Sequence, residues 1–365
     1  MVLNRQTVRL MDIGIPLERK PREGRIALTP EACMRLVAAG HSVRVERDAG
    51  RQSGYPDTDY VHAGCIISNN NNELYEQSKV IVKVKEPIEP DLERLQSQHT
   101  LFCYLHLAPL PQLTEALLAR RLTALAFETL RVDGQLPLLA PMSAVAGRLA
   151  VQMGMHYLEQ AQGGAGVLLG GVAGTPPGQV MVLGAGVAGS HAAIRAAALG
   201  AGVLVFDRSA EALARLQTEC PAIRAALADP ALIMAALPAT DLVIGAVLLP
   251  GATAPRVLTR AMLRLLPPER VLVDISIDQG GCIEGIRATD WNTPAYVEDG
   301  HTFVAVTNMP GAVPRTSAQA LSRAILPWVL ELAAGRLDSS PVLQSALAVR
   351  NGEIMAPELK LSRAS

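Results

Sequence analysis

The stretch Val180-Met181-Val182-Leu183-Gly184-Ala185-Gly186-Val187-Ala188-Gly189, with Gly202-Val203-Leu204-Val205-Phe206-Asp207 behind it, decides the fold. Four apolar residues, Val180 to Leu183, read as a buried strand. Three glycines then fall in the G-x-G-x-x-G spacing, an Ala-rich helix runs to Leu199, and a second strand follows over 203–206. An acidic residue about twenty positions beyond the glycines completes the dinucleotide-binding context. Gly184 permits a tight turn, Gly186 lets a pyrophosphate approach the backbone, and Gly189 lets helix and strand pack closely. The free N–H groups and positive dipole end of the helix suit phosphate. Asp207 is placed to accept hydrogen bonds from ribose hydroxyls and to repel a 2′-phosphate, which favours NAD over NADP; the adjacent Arg208 works in the opposite sense. The span from Met181 to Phe206 is apolar enough to raise a membrane reading, but His191, Arg195 and the glycines fit a strand-turn-helix-strand unit better.

Working outward, the same domain continues with a strand over 241–247, a loop from Leu248 to Pro255 and a strand over 271–275. That strand exits into Ser276-Ile277-Asp278-Gln279-Gly280-Gly281. In open α/β sheets ligands lie outside the carboxyl ends of strands, so Asp278 is expected to face a cofactor's reactive end. A last strand over 303–306 leads into Asn308, Met309 and Pro310. A helix over 317–334 carries Pro327, and the tail from Asp338 reads as mixed and partly helical.

Upstream, strands are expected over 8–16, 42–46, 79–85, 100–107 and 124–128, alternating with helical patterns. Thr29 is an N-cap candidate ahead of Pro30, a residue suited to the first helical position, and Gly40 ends that helix. The tract Asn69 to Asn72 reads as a surface turn. A long helix over 144–161 sets Arg148, Gln152 and His156 in one polar stripe. The alternation predicts an α/β protein of two Rossmann-like domains with mostly parallel sheets.

Composition supports this and excludes other classes. The 365 residues are 49% hydrophobic and 18% charged, which is not the make-up of a disordered chain. Thirty-three basic residues against 34 acidic ones give a net charge of -1 and no sign of a nucleic-acid or anionic-membrane partner. The five cysteines are scattered without a CxxC pair, which points to a reducing cytosol rather than a disulfide framework or a zinc site. No HExxH, GxSxG or P-loop pattern exists, so metal, serine-nucleophile and nucleotide-hydrolysing chemistries lack support. Residues 1–10 lack the apolar core of a signal peptide.

Several segments together resemble the alanine dehydrogenase and transhydrogenase α-subunit superfamily. They are Arg25-Ile-Ala-Leu-Thr29-Pro30, Lys83-Val-Lys85-Glu86-Pro87, Tyr104-Leu-His106-Leu-Ala108, Pro141-Met142-Ser143 and Ala146-Gly147-Arg148. Gly163-Gly164, the 184–189 loop, Ile244-Gly-Ala-Val247, Ile277-Asp278-Gln-Gly-Gly281 and Asn308-Met309-Pro310 continue the series. The resemblance implies a discontinuous substrate domain, residues 1–138 plus 311–365, and an inserted NAD-binding domain, residues 139–310. The active site would lie in the interdomain cleft, and the assembly would be a cytoplasmic homohexamer. The implied reaction is reversible oxidative deamination of L-alanine to pyruvate and ammonia with NAD. Arg25 would bind the substrate carboxylate, Lys85 a carboxylate or carbonyl oxygen, and His106 would exchange protons. Asp278 would orient or deprotonate the amino group or water, and Tyr104 and Met142 would line the pocket. Contacts to the dinucleotide would come from Ser143, Gly184, Gly186, Val187, Ala188, Gly189, Asp207, Val247, Leu248, Ile275, Asn308 and Met309, with no metal.

Taken singly, these residues have plainer readings: Arg25 as a surface arginine, Lys85 as an edge-strand gatekeeper, His106 as a core histidine, Tyr104 and Met142 as packing. The loop Lys20-Pro-Arg-Glu-Gly24 departs from the family's usual pattern before the substrate arginine. Three functions stay open at this level. They are a dehydrogenase for alanine or another small amino acid, a hydride-relaying transhydrogenase-like subunit, and an NAD-sensing protein without turnover. A histidine at 106 argues against the second.

Overall fold

The strands gather into two mostly parallel sheets, each with the same winding. The computed structural model describes residues 10–247, 253–357 and 359–360. In chain order the strands are β1 (Asp12–Ile15), β2 (Ser42–Glu46), β3 (Ile66–Ser68), β4 (Val80–Val82), β5 (Thr100–Cys103) and β6 (Thr123–Ala126). Then come β7 (Gln179–Leu183), β8 (Gly202–Asp207), β9 (Arg224–Leu227), β10 (Leu242–Gly245), β11 (Val271–Asp274), β12 (Ala295–Glu298) and β13 (His301–Val304). The chain closes with β14 (Leu347–Arg350) and β15 (Glu353–Ile354).

The first sheet runs β15-β14-β6-β5-β4-β1-β2-β3 and the second β12-β13-β11-β10-β7-β8-β9. Setting aside the antiparallel edge strands β14, β15 and β12, each sheet follows the doubly wound order 3-2-1-4-5-6. Strand order reverses between β1 and β4 in one sheet and between β7 and β10 in the other, and that is where such sheets take ligands. The apolar runs explain the pairing. Ile13 faces Val43 and Val80, and Val182 faces Val205 and Ile244, all of them buried. Strands covered on both faces read as continuous Val/Ile/Leu runs, and each such side chain contributes roughly 1.5–3 kcal/mol by leaving water.

The chain divides into two compact units: residues up to Met142 together with those from Gly311 onward, and Ser143–Pro310. The division expected after residue 138 therefore falls four residues later, inside the helix Ala140–Tyr157. That helix starts earlier than the expected 144, and its stripe of Arg148, Gln152 and His156 is exposed.

Several local expectations differ. Thr29 precedes the helix Pro30–Ala38 but makes no side-chain cap. Its hydroxyl instead meets Ser322 Oγ at 3.2 Å, because the long helix Pro314–Ala333 packs there. The asparagine tract is not a plain turn: Asn70 caps the helix Asn71–Glu76 by accepting the Glu73 N–H at 3.0 Å. Asn71 is buried and donates to Asp91 at 2.7 Å. The strand expected over 100–107 stops at Cys103, and His106 beyond it has a left-handed φ of 47°. The tail holds a short helix, Pro341–Ser345, and then the β14–β15 hairpin, which extends the first sheet at β6. Among the described residues no helix is long and apolar enough to cross a membrane.

Candidate active site

In the first unit the candidate residues gather past the carboxyl ends of β1, β4 and β5, at the reversal of strand order. Arg25 is not a surface arginine; it is 3% exposed. Glu23 grips it side-on, with Nε donating to Oε1 at 2.7 Å and Nη2 to Oε2 at 2.5 Å. Burial opposes the guanidinium's charge, and the Glu23 carboxylate more than offsets that, so its pKa rises. A side-on bidentate pair with a substrate through Nε and Nη2 would have to displace Glu23. Nη1 lies 3.2 Å from the Met142 sulfur.

Tyr104 is buried, and its hydroxyl donates to the Leu138 carbonyl at 2.5 Å. Burial pushes that hydroxyl's pKa up, while Arg25 pulls it the other way. The Tyr104 ring stacks on the His106 ring, with centroids 5.8 Å apart and planes within 8°. His106 itself is only half-buried, and the Glu128 carboxylate accepts its backbone N–H at 2.6 Å. The structure thus brings Arg25, Met142, Tyr104 and His106 into one neighbourhood.

Lys85 follows β4 and is half-buried. Its backbone N–H donates to Glu18 at 3.3 Å, beside the Val84 N–H at 2.6 Å on the same carboxylate. Behind it lies a network that the sequence reading missed. Lys83, 1% exposed, pairs with Asp91 at 2.7 Å and with Glu18 at 3.5 Å. Burial raises the Glu18 pKa and Lys83 lowers it. For Lys83 burial works against the charge, but Glu18 and Asp91 prevail and raise its pKa. Lysine is seldom fully buried unless paired, so Lys83 is a structural cation beneath the loop. A polar crevice of about 230 Å³ bordered by Tyr55, Asp59, Gln319 and Arg323 contains none of the candidate residues.

In the second unit the glycine loop fits a dinucleotide. Gly184 has a φ of 107°, and a Cβ on it would sit 2.5 Å from the Ala246 carbonyl oxygen. A Cβ on Gly189 would meet the Gly184 oxygen at 1.9 Å, so helix and strand touch through bare backbone. A Cβ on Gly186 would meet nothing within 4 Å, which leaves open space at the N-terminus of the twelve-residue helix Val187–Ala198. Val187 is exposed, Ala188 half-buried, and the Ala188 carbonyl is packed so tightly by Gly147 that a Cβ there would come within 2.1 Å. Asp207 braces the loop: Oδ2 accepts from Ala185 N–H at 2.6 Å and Oδ1 from Ser209 N–H at 2.7 Å. Each carboxylate oxygen has a second lone pair, so ribose hydroxyls remain possible donors.

Asp278 is exposed, on a 3-10 turn Ile275–Gln279 that follows β11, and its Oδ1 accepts the Asn308 N–H at 3.1 Å. Asn308 is held at a φ of 55°. Val247 N–H donates to Ser276 Oγ at 2.9 Å, which ties the end of β10 to the same turn. Ile275 and Ser143 are half-buried and Met309 is buried. Leu248 lies outside the described residues. The braces Glu18, Glu23, Glu128 and Asp274 were not singled out from sequence. Their signal is a carboxylate just after a strand or beside a key cation, which is visible only once the strand ends are known.

The two windings and the glycine loop define a two-unit α/β protein of the dinucleotide-binding class. Family models for the alanine dehydrogenase/PNT N-terminal and C-terminal domains match residues 14–146 and 150–357. The chain belongs to the alanine dehydrogenase/PNT family. It is 47% identical over 325 residues to an alanine dehydrogenase of Halomonas elongata, covering 88% of each chain. A solved L-alanine dehydrogenase superposes with a TM-score of 0.93 at 41% identity, over 97% of this chain and 99% of that one. A transhydrogenase from Sinorhizobium meliloti gives 0.82 at 25% identity, over 95% and 99%. The family implies a nicotinamide cofactor, and the loop residues fit one.

Proposed function

We propose that the protein catalyses the reversible NAD-dependent oxidative deamination of L-alanine to pyruvate and ammonia. The first unit handles the amino acid and the second the dinucleotide. The observation that carries this reading is the grouping of Arg25, Tyr104, His106 and Met142: a buried, braced cation against Met142, and a half-buried imidazole stacked on Tyr104, whose hydroxyl feels the Arg25 charge. Arg25 binds the substrate carboxylate, and Lys85 supplies a second cation for the carboxylate or carbonyl oxygen. Met142 lies against Arg25 and limits the pocket to a small side chain. When bound, a nicotinamide ring supplies the hydride acceptor for the alanine Cα. Loss of that hydride and an amine proton leaves the imine; water adds, ammonia departs, and pyruvate remains. His106 accepts and returns protons in hydration, a task suited to an imidazole. Asp278 orients the amino group or water.

Asp207 makes the cofactor NAD, because a 2′-phosphate would meet its carboxylate. The assembly carried with this reading is a cytoplasmic homohexamer, and a monomeric mass by light scattering removes that part. The main test is loss of NADH absorbance with ammonium and a panel of 2-oxo acids. Turnover fastest on pyruvate supports the proposal. Turnover only on larger oxo acids moves the substrate, a change that one methylene of pocket, worth about 1–3 kcal/mol, is enough to cause. NADH binding without turnover on any oxo acid overturns the dehydrogenase reading in favour of hydride relay or sensing.

A further inference from the structure

The turn that carries Asp278 is gripped from two sides by opposite charges. It ends at Gly280 and Gly281, both left-handed at φ of 89° and 82°, a backbone that is permissive on its own. On its inner side the buried Asp274 accepts N–H groups from Ser276 at 2.8 Å, Cys282 at 2.7 Å and Ile283 at 3.3 Å. On its outer side the exposed Arg256 points Nη1 at the carbonyls of Gly280 and Gly281, both at 2.6 Å, and of Ile283 at 3.2 Å. The backbone runs alongside as well: Ala254 N–H donates to Gln279 O at 3.0 Å and Val257 N–H to Cys282 O at 2.7 Å.

We propose that Arg256 is a positioning residue for Asp278, holding the glycine turn so that the carboxylate keeps its place on the Asn308 N–H. This role for Arg256 rests on the one proposed for Asp278. Asp274 is sealed in the core, so losing it would disturb the fold. Arg256 lies at the surface, where substitution leaves the core intact. A guanidinium spent on backbone carbonyls forms charge-assisted bonds to the turn itself. Its effect therefore passes through the geometry of the turn, and displacement of a reacting group by about 1 Å costs on the order of 100-fold in rate.

The experiment compares full-length Arg256→Met and Arg256→Lys with the wild type. Amide hydrogen exchange is read over the peptide 276–283, NADH affinity by fluorescence, and kcat and KM with pyruvate and ammonium. The expected result for Arg256→Met is exchange faster by about tenfold in that peptide and kcat lower by about 10–100-fold. KM for pyruvate and NADH affinity stay within about threefold. Arg256→Lys, which keeps a cationic donor, recovers most of the loss. Unchanged exchange, or faster exchange with normal kcat, overturns the proposal. Equal losses in both variants with a lowered melting temperature also overturn it, since they mark a merely structural part. If the wild type itself fails to turn over pyruvate, the functional reading falls, and the exchange result alone decides whether Arg256 holds the turn.

Discussion

Glu128 accepts the backbone N–H of His106 at 2.6 Å and that of Leu105 at 3.2 Å. His106 sits at a φ of 47°, a conformation that costs a non-glycine residue on the order of 1–3 kcal/mol unless its surroundings hold it. The carboxylate supplies that hold on the backbone, from which the ring stacks on Tyr104. Glu128→Ala is expected to lower kcat by about 10–100-fold while NADH binding stays normal. Glu128→Gln, which keeps one acceptor oxygen, should lose less. Steady-state kinetics beside a fluorescence titration checks this, and equal activity in all three proteins removes the role.

Arg25 and Glu23 form a buried pair, so their substitutions are not equivalent. Arg25→Ala removes both guanidinium donors from the buried Glu23 carboxylate and the cation proposed for the substrate. KM for pyruvate is expected to rise by about 30-fold or more, in line with the 2–5 kcal/mol typical of breaking a buried charge pair. An unchanged KM in a folded variant sinks the assignment.

His106→Ala and Asp278→Asn test the chemistry directly. Each should cut turnover by about 100–10,000-fold, the usual range for a lost acid-base group. NADH affinity should stay within about threefold, because neither change touches the glycine loop. Near-normal turnover in either variant disposes of that residue's role.

Asp207→Ala should raise the NADPH to NADH activity ratio by about tenfold or more, by relieving like-charge repulsion at the 2′-phosphate. Some loss of NADH affinity is expected too, since Asp207 also braces Ala185 N–H. A ratio that does not move contradicts the cofactor assignment.

His99 gives a pH dependence of stability. It is buried, its Nδ1 accepts the Gln96 N–H at 2.8 Å, and its other nitrogen faces the Tyr75 carbonyl at 2.9 Å. Burial lowers its pKa below the ordinary value. The unfolded chain thus takes a proton near pH 6.5 that the folded chain refuses. Its contribution is intact above about pH 6.5 and drains as pH falls toward the depressed folded value. Urea unfolding at descending pH should show falling stability, and His99→Gln should flatten that slope. A slope unaltered by the substitution rules His99 out as its source.

The dinucleotide half was legible because its signal is local. Strand, glycine spacing, helix and Asp207 lie within one short run, and at Gly184 and Gly189 a Cβ would fall 2.5 and 1.9 Å from a carbonyl oxygen. The first unit was legible in outline only. Lys83 and Lys85 look alike in sequence, yet one is a sealed structural cation and the other half-open. Burial of a charge depends on partners such as Asp91 and Glu18, which periodicity does not reveal. The cap at Asn70 was hidden because every residue of its tract is the same type. The β14–β15 hairpin was missed because its partner, β6, lies at 123–126, far back along the chain.

The discontinuity of the first unit sets an order of assembly during synthesis. Ser143–Pro310 is one unbroken stretch, complete as soon as it clears the ribosome. The first sheet must wait, with β6 as an open edge and its hydrogen-bonding groups unsatisfied, until the hairpin at 347–354 has been made. At about 5–20 residues per second that wait lasts some ten seconds or more, and for its last few seconds the nascent chain carries a finished second unit and an unfinished, adhesive first one. The stretch most exposed to chaperones, and to misassembly in a truncated product, is therefore the early-made half of the chain rather than the late one.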